Sequence, residues 1–126
     1  CTLIRLSSNS YIIENKQCLV GFIVCFREKS DYQSRNYIHF NNQLEKFIYI
    51  DRIGIAKGLQ NKGFGTKLYR YIIKKYGNQM KICAEINTKP MNKKSISFHE
   101  KHGFKGVSEK VFNENYEVVY MERDEG

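Results

Sequence analysis

Residues Tyr49 to Lys67 read YIDRIGIAKGLQNKGFGTK, and the rest of the chain is interpreted around this stretch. Its first half, Tyr49 to Ile55, is β-branched and aromatic and predicts a strand. Its second half, Gly58 to Gly65, is a glycine-bearing turn that opens a helix of about three turns. A strand, a glycine turn and a helix N-terminus in that order can hold a phosphate. Glycine lets the backbone come close, while unpaired first-turn N–H groups and the helix dipole face the anion. A tight turn with no ligand would use the same residues, so the surroundings must decide between the two.

Downstream, Phe64, Leu68, Ile72 and Tyr76 recur at helical spacing and form a core stripe, with Gly77 as a C-cap. Lys81 to Asn87 predicts a strand, and Thr88 to Met91 a loop. Asn92 is a good N-cap for a helix that runs to Lys101 or His102 and stops at Gly103. Phe104 to Phe112 and Tyr116 to Glu122 are strands around an Asn113–Asn115 turn.

Upstream, Ser10 to Glu14 and Cys18 to Phe26 form a hairpin across Asn15-Lys16, with Val20, Phe22 and Val24 expected on one face. Gly21 inside the second strand signals a bulge or a close backbone approach. Arg27 to Lys46 reads as a long polar connection carrying Tyr32, Tyr37, His39 and Phe40, either a lid or a packed surface loop. Residues 1–8 fit a strand or the last turns of a helix. The order is β-β-β-α-β-α-β-β, a mixed α/β layer in a single domain over residues 1–126.

Composition bounds the function. With 41% apolar and 13% aromatic residues the chain folds, and it is no disordered tail. No run of about 18 apolar residues spans a membrane. The net charge of +8 favours anionic partners: nucleic acid, a membrane surface or a polyanionic cofactor. Its lysines are scattered rather than gathered into a basic arm, which argues for solvated surface and against nucleic acid. Cys1, Cys18, Cys25 and Cys83 form no CxxC pair, so reduced thiols in a cytoplasmic protein are expected. His99 and His102 are three apart on one helix, but no carboxylate or cysteine completes a metal-ligand pattern, and no metal is expected.

The glycine turn fails two phosphate motifs. Phe64 stands where a Walker A loop needs lysine, and Leu68 where a dinucleotide fingerprint needs its third glycine. Gln60-Asn61-Lys62-Gly63-Phe64-Gly65 instead fits Q/R-x-x-G-x-G/A, the signature of acetyl-CoA-dependent N-acetyltransferases, the GNAT superfamily. Asn92–Phe104, NKKSISFHEKHGF, resembles the same family's second motif, with Ser95 for alanine and His99 for tyrosine. YIDRI with FHEKHGF is closer still to an uncharacterised bacterial-type branch. The resemblance covers about residues 10–122 and implies the GNAT fold: a mixed, mostly antiparallel sheet flanked by helices. The family's opening strand and helices look absent, which makes residues 1–8 the end of a second helix in a chain truncated at its front.

That resemblance implies a site. The amides of Asn61, Lys62, Gly63, Phe64, Gly65 and Thr66, after Gln60, would cradle the coenzyme A pyrophosphate. Backbone groups of Ile53, Gly54 and Ile55 would pair with the pantetheine arm, an N–H near Ile53 would polarise the thioester carbonyl, and Asn92 would touch the cofactor or simply cap its helix. Tyr49, Asp51 and Ile53 are expected on one strand face. Tyr49 would meet the substrate and Asp51 would be the first candidate base, unless it is only paired with Arg52; Glu85 matches the other base position. His99 would protonate the thiolate, or else pack against the sheet with one hydrogen bond. The implied reaction is direct acetyl transfer from acetyl-CoA, as co-substrate, to a primary amine, with Cys83 on too buried a strand to serve as a covalent carrier. A non-catalytic acyl-CoA-binding protein, or a basic polyanion- or nucleic-acid-binding module, is the alternative. Neither the amine nor an oligomeric state is readable.

Overall fold

A computed structural model describes residues 2–125. The elements are β1 (Thr2–Ser7), β2 (Ser10–Asn15), β3 (Cys18–Arg27), α1 (Arg35–Gln43), β4 (Phe47–Ile55), α2 (Phe64–Tyr76), β5 (Lys81–Lys89), α3 (Lys93–Lys101), β6 (Lys105–Asn113) and β7 (Tyr116–Arg123). All strands join one seven-stranded sheet in the order β1-β2-β3-β4-β5-β7-β6. Neighbours are antiparallel except β4 and β5, which run parallel. No helix among the described residues is long and apolar enough to cross a membrane.

The mixed α/β architecture follows the sequence reading, with two elements added. Thr2–Ser7 is a strand paired with β2 from Thr2↔Glu14 to Ser7↔Ser10, so the helix-end expectation for residues 1–8 is wrong; Cys1 lies outside the described residues. β2 offers an edge, and the apolar Leu3 of β1 packs onto the core beside it. The second addition is α1, within the expected loop. Ser34 starts it by accepting the Tyr37 amide at 3.3 Å, and Tyr37 and Phe40 bury completely against Phe47 and Tyr49.

The sheet therefore has two covered faces. α2 sets Leu68, Tyr69 and Ile72 against Ile48, Ile50 and Ile82, while α1 covers Phe47, Tyr49 and Cys83. Strand alternation sends neighbouring β4 residues to opposite faces. Bulges break that alternation in β3 and in β4. In β3, Ile13 pairs with Gly21 but Glu14 with Leu19, so Val20 slips to the α2 side beside Ile23 and Cys25. Phe22 and Val24 stay half-buried, and the expected Val20–Phe22–Val24 face does not form.

Gly21 serves both purposes that its sequence position suggested, a bulge and a close approach. A Cβ there would lie 2.7 Å from the Gly54 carbonyl oxygen, a backbone atom that cannot move aside cheaply. Gly21→Ala is expected to destabilise the fold by about 1–3 kcal/mol, measured as a lower urea midpoint at unchanged slope. An unaltered midpoint would show that β3 and β4 are free to separate there.

Candidate active site

β4 and β5 pair only at Phe47↔Lys81, Ile48↔Ile82 and Tyr49↔Cys83, after which the strands diverge. β5 is held on its other side by β7 along most of its length, so it cannot close the gap. Just past the end of β4, Ala56 donates its amide to the Val20 carbonyl at 2.7 Å. By alternation, Gly54 also faces β3, whereas Ile53 and Ile55 aim their amides and carbonyls into the gap. The result is a short length of strand edge in the middle of a sheet, open to an extended partner.

A bulge sits beside this edge. Val24 pairs with Arg52 and Cys25 with Ile50, leaving Asp51 as the extra residue. It reverses the alternation, so Ile53 turns towards Gly65 on the α2 side; its Cδ1 lies 3.9 Å from where a Gly65 Cβ would stand. The expectation that Tyr49, Asp51 and Ile53 share one face is therefore corrected: Tyr49 packs under α1, on the other face.

The turn that follows leads to α2. Gly63 is the N-cap with φ of +85°, a left-handed conformation that favours glycine. The first helical bond there runs from the Lys67 amide to the Gly63 carbonyl at 3.0 Å. Among the described residues, no hydrogen bond uses the amides from Asn61 to Thr66. The backbone at the N-cap is open, for a Cβ on Gly63 would meet no atom within 4 Å. α3 closes one side: Lys94 Nζ donates to Asn61 Oδ1 at 3.3 Å, and Asn92 caps α3 by accepting the Ser95 amide at 3.1 Å. These free amides, a helix dipole and the exposed Lys57, Lys62 and Lys67 suit a diphosphate.

Asp51, Ile53, Tyr69, Glu85, Ser95 and His99 line a recess of about 140 Å³ at the root of the gap. Three sequence candidates, Asp51, Glu85 and His99, thus meet in one place. Glu85 pairs across the sheet with Tyr120, whose ring packs under α1, so its side chain belongs to the α1 face. Burial, and then the nearby Asp51 charge, push the Glu85 carboxyl up to about 7. Asp51 is tethered: Tyr32 donates its hydroxyl to Oδ1 at 2.9 Å, and Arg52 Nε lies 3.5 Å from Oδ2.

His99 is buried on the α2 face with both ring nitrogens occupied. Nδ1 lies 2.7 Å from the Ser95 carbonyl, which only accepts, so Nδ1 carries the proton. Burial holds the ring below its ordinary range, hence neutral near pH 7, and Nε2 accepts the Tyr69 hydroxyl at 2.6 Å. This geometry fits the packed alternative for His99 better than a free imidazolium. Tyr32 was noted only as part of the long polar connection, with no partner assigned, and Tyr69, one residue past Leu68 of the helical stripe, escaped the sequence reading.

The chain belongs to the acetyltransferase (GNAT) family, whose model matches residues 3–104. No curated protein matches it in sequence. Its fold is similar to Arabidopsis thaliana Naa50 in complex with the bisubstrate analogue CoA-Ac-MVNAL, at 18% identity and TM-score 0.68 over 91% of this chain and 72% of that one. It is also similar to Chaetomium thermophilum Naa20 with a bisubstrate analogue, at 15% identity and TM-score 0.70 over 96% and 68%. The Escherichia coli ribosomal-protein-S18-alanine N-acetyltransferase aligns at 11% identity and TM-score 0.67 over 93% and 70%. At these identities the likeness is one of fold.

The raised Glu85 carboxyl has a stability signature. Between about 4.5 and about 7 the folded state binds a proton that the unfolded state releases, so stability falls as pH rises through that window. Glu85→Gln should flatten this slope relative to the unsubstituted chain, by at most about 3 kcal/mol between pH 5 and 8 in urea unfolding. Parallel curves for the two proteins would mean Glu85 titrates normally.

Proposed function

We propose that residues 1–126 act as an N-acetyltransferase domain that moves an acetyl group from acetyl-CoA to a primary amine by direct attack in a ternary complex. The observation that carries this reading is one continuous feature. The unused amides of Asn61 to Thr66 open onto the unpaired edge of Ile53 and Ile55, and that edge ends at Glu85 and Asp51.

Asn61, Lys62, Gly63, Phe64, Gly65 and Thr66 would hold the pyrophosphate through their amides, with Gln60 leading into the turn and Asn92 at the facing end of α3. Ile53 and Ile55, either side of Gly54, would pair with the pantetheine amides. Acetyl-CoA, when bound, supplies a thioester carbonyl for the amine to attack and a thiol as leaving group. The amine approaches from the α1 face, where Tyr49 floors the sheet and both carboxylates lie. Glu85 takes the proton from the ammonium, since a carboxyl poised at about 7 is a far better base than an ordinary one. Asp51, tied to Tyr32 and Arg52, keeps Glu85 high and attracts the ammonium.

His99 acts as a positioning residue in this reading. Its proton belongs to the Ser95 carbonyl, and burial holds the Tyr69 phenol well above its ordinary range, so neither is a ready acid. A thiol with an ordinary value of about 8.5 departs readily as thiolate and takes its proton from solvent. Cys83 is fully buried with its thiol pushed up by burial, which argues against a covalent acetyl carrier.

Calorimetry with acetyl-CoA, followed by thiol release across a panel of amines, tests the reading; absence of acetyl-CoA binding would end it. The rate should rise with pH through about 7 and then level, as the active form of Glu85 is ionised. Glu85→Gln should remove that limb and lower kcat by about 10²–10⁴-fold while acetyl-CoA binding persists. An intact limb in Glu85→Gln would transfer the role to Asp51.

A further inference from the structure

A groove of about 490 Å³ runs between α1 and β6, on the face of the sheet that carries Glu85. Arg35, Ile38 and His39 line it from α1, Lys110 and Phe112 from β6, and Tyr120 from β7. The α1 contacts recur at helical spacing and extend to Asn42, so the groove follows that helix for about 10 Å. This length matches about three residues of extended chain. Tyr120, at its floor, is the cross-strand partner of Glu85, which puts the inner side of the groove one strand from the base.

Its chemistry is one-sided. Arg35 and Lys110 stand on opposite walls, and no carboxylate lines the groove. Of the acids around it, Glu85 lies across from Tyr120 at the inner end, Glu122, two residues along β7, is bonded to Lys81 at 3.1 Å, and Glu117, opposite Val111, turns to Lys89 at 3.9 Å. Arg35 lies 4.4 Å over the Phe112 ring, and His39 stacks on Tyr120 with centroids 3.9 Å apart, so aromatic surfaces line the groove, one of them topped by a cation. Ile38 and Val111 add exposed apolar area at the rim. Among the described residues neither Arg35 nor Lys110 forms an ion pair, and two such cations along a groove of peptide length complement an extended segment with carboxylates and some apolar surface.

We infer that this groove is the acceptor-binding subsite and that the acceptor is an acidic peptide, its free amine at Glu85 and the carboxylates of its next few residues between Arg35 and Lys110. The inference rests on the acetyltransferase reading and names its substrate class. Peptides with a free N-terminus and glutamate, glutamine or lysine at the second to fourth positions provide the test, scored as kcat/KM and as binding of fluorescent versions by anisotropy without acetyl-CoA. The glutamate peptide should be preferred at least about tenfold, the strength of one to two charge-assisted contacts. Lys110→Glu and Arg35→Gln should each erase most of that preference through KM, leaving kcat, acetyl-CoA affinity and Tm near those of the parent.

Equal use of all three peptides, or a preference that survives both substitutions, overturns the inference and leaves the acetyltransferase reading standing. If acetyl-CoA does not bind, that reading fails alone, and anisotropy decides the groove: capture of the glutamate peptide, lost in Lys110→Glu, supports it, and no capture overturns it. A single-stranded oligonucleotide that displaces the peptide and binds more tightly would also overturn it.

Discussion

Two strands that begin side by side and then part set the geometry of everything else in this molecule. β4 and β5 share only their first residues, and each is then drawn away by a better partner, β3 on one side and β7 on the other. Backbone groups in a sheet interior are normally paired, since leaving them buried without partners is costly. Here Ile53 and Ile55 keep theirs open, and the bulge at Asp51 turns the strand so that the opening meets the α2 N-terminus. A substrate that supplies its own amides and a diphosphate completes both deficits at once.

The divergence also separates two chemistries across the thickness of the sheet. On the α2 side lie neutral, buried groups, Tyr69 and His99, bonded to each other and sealed by aromatic contacts with Phe98 and Phe104. On the α1 side lie the carboxylates, with Glu85 half-neutral near pH 7 because water is scarce and Asp51 is close. An electrophile entering from one face and an amine from the other would meet where the strands part. Tyr32 links this centre to the segment before α1, through its bond to Asp51 and its stack on Phe26, 4.1 Å between centroids.

Much of this was written locally in the chain. The glycines from Gly58 to Gly65, the Leu68–Ile72–Tyr76 stripe and the Asn92 cap depend on near neighbours, and all could be read without a structure. The misses came from long-range causes. Bulges at Val20 and Asp51 reversed face assignments that strict alternation would fix; Gly21 in VGFIV hinted at a bulge without saying which side chains would change face, and nothing in YIDRI announces an extra residue. α1 was hidden because RNYIHFNNQ has weak helix formers; only Tyr37 and Phe40, three apart, mark its buried side. The Thr2–Ser7 strand was ambiguous until β2 gave it a partner. The raised Glu85 carboxyl and the neutrality of His99 depend on burial and on contacts between distant residues, which sequence spacing does not encode.

The central claim is that the open amides of β4 and of the glycine turn form one docking strip. Nitrogen-15-labelled protein titrated with coenzyme A, followed by amide hydrogen exchange read residue by residue, addresses it most directly. The account predicts that Ile53, Ile55 and the amides from Asn61 to Thr66 shift together and become protected, with a single affinity. Protection confined to other regions, or a turn already protected before coenzyme A is added, would contradict it.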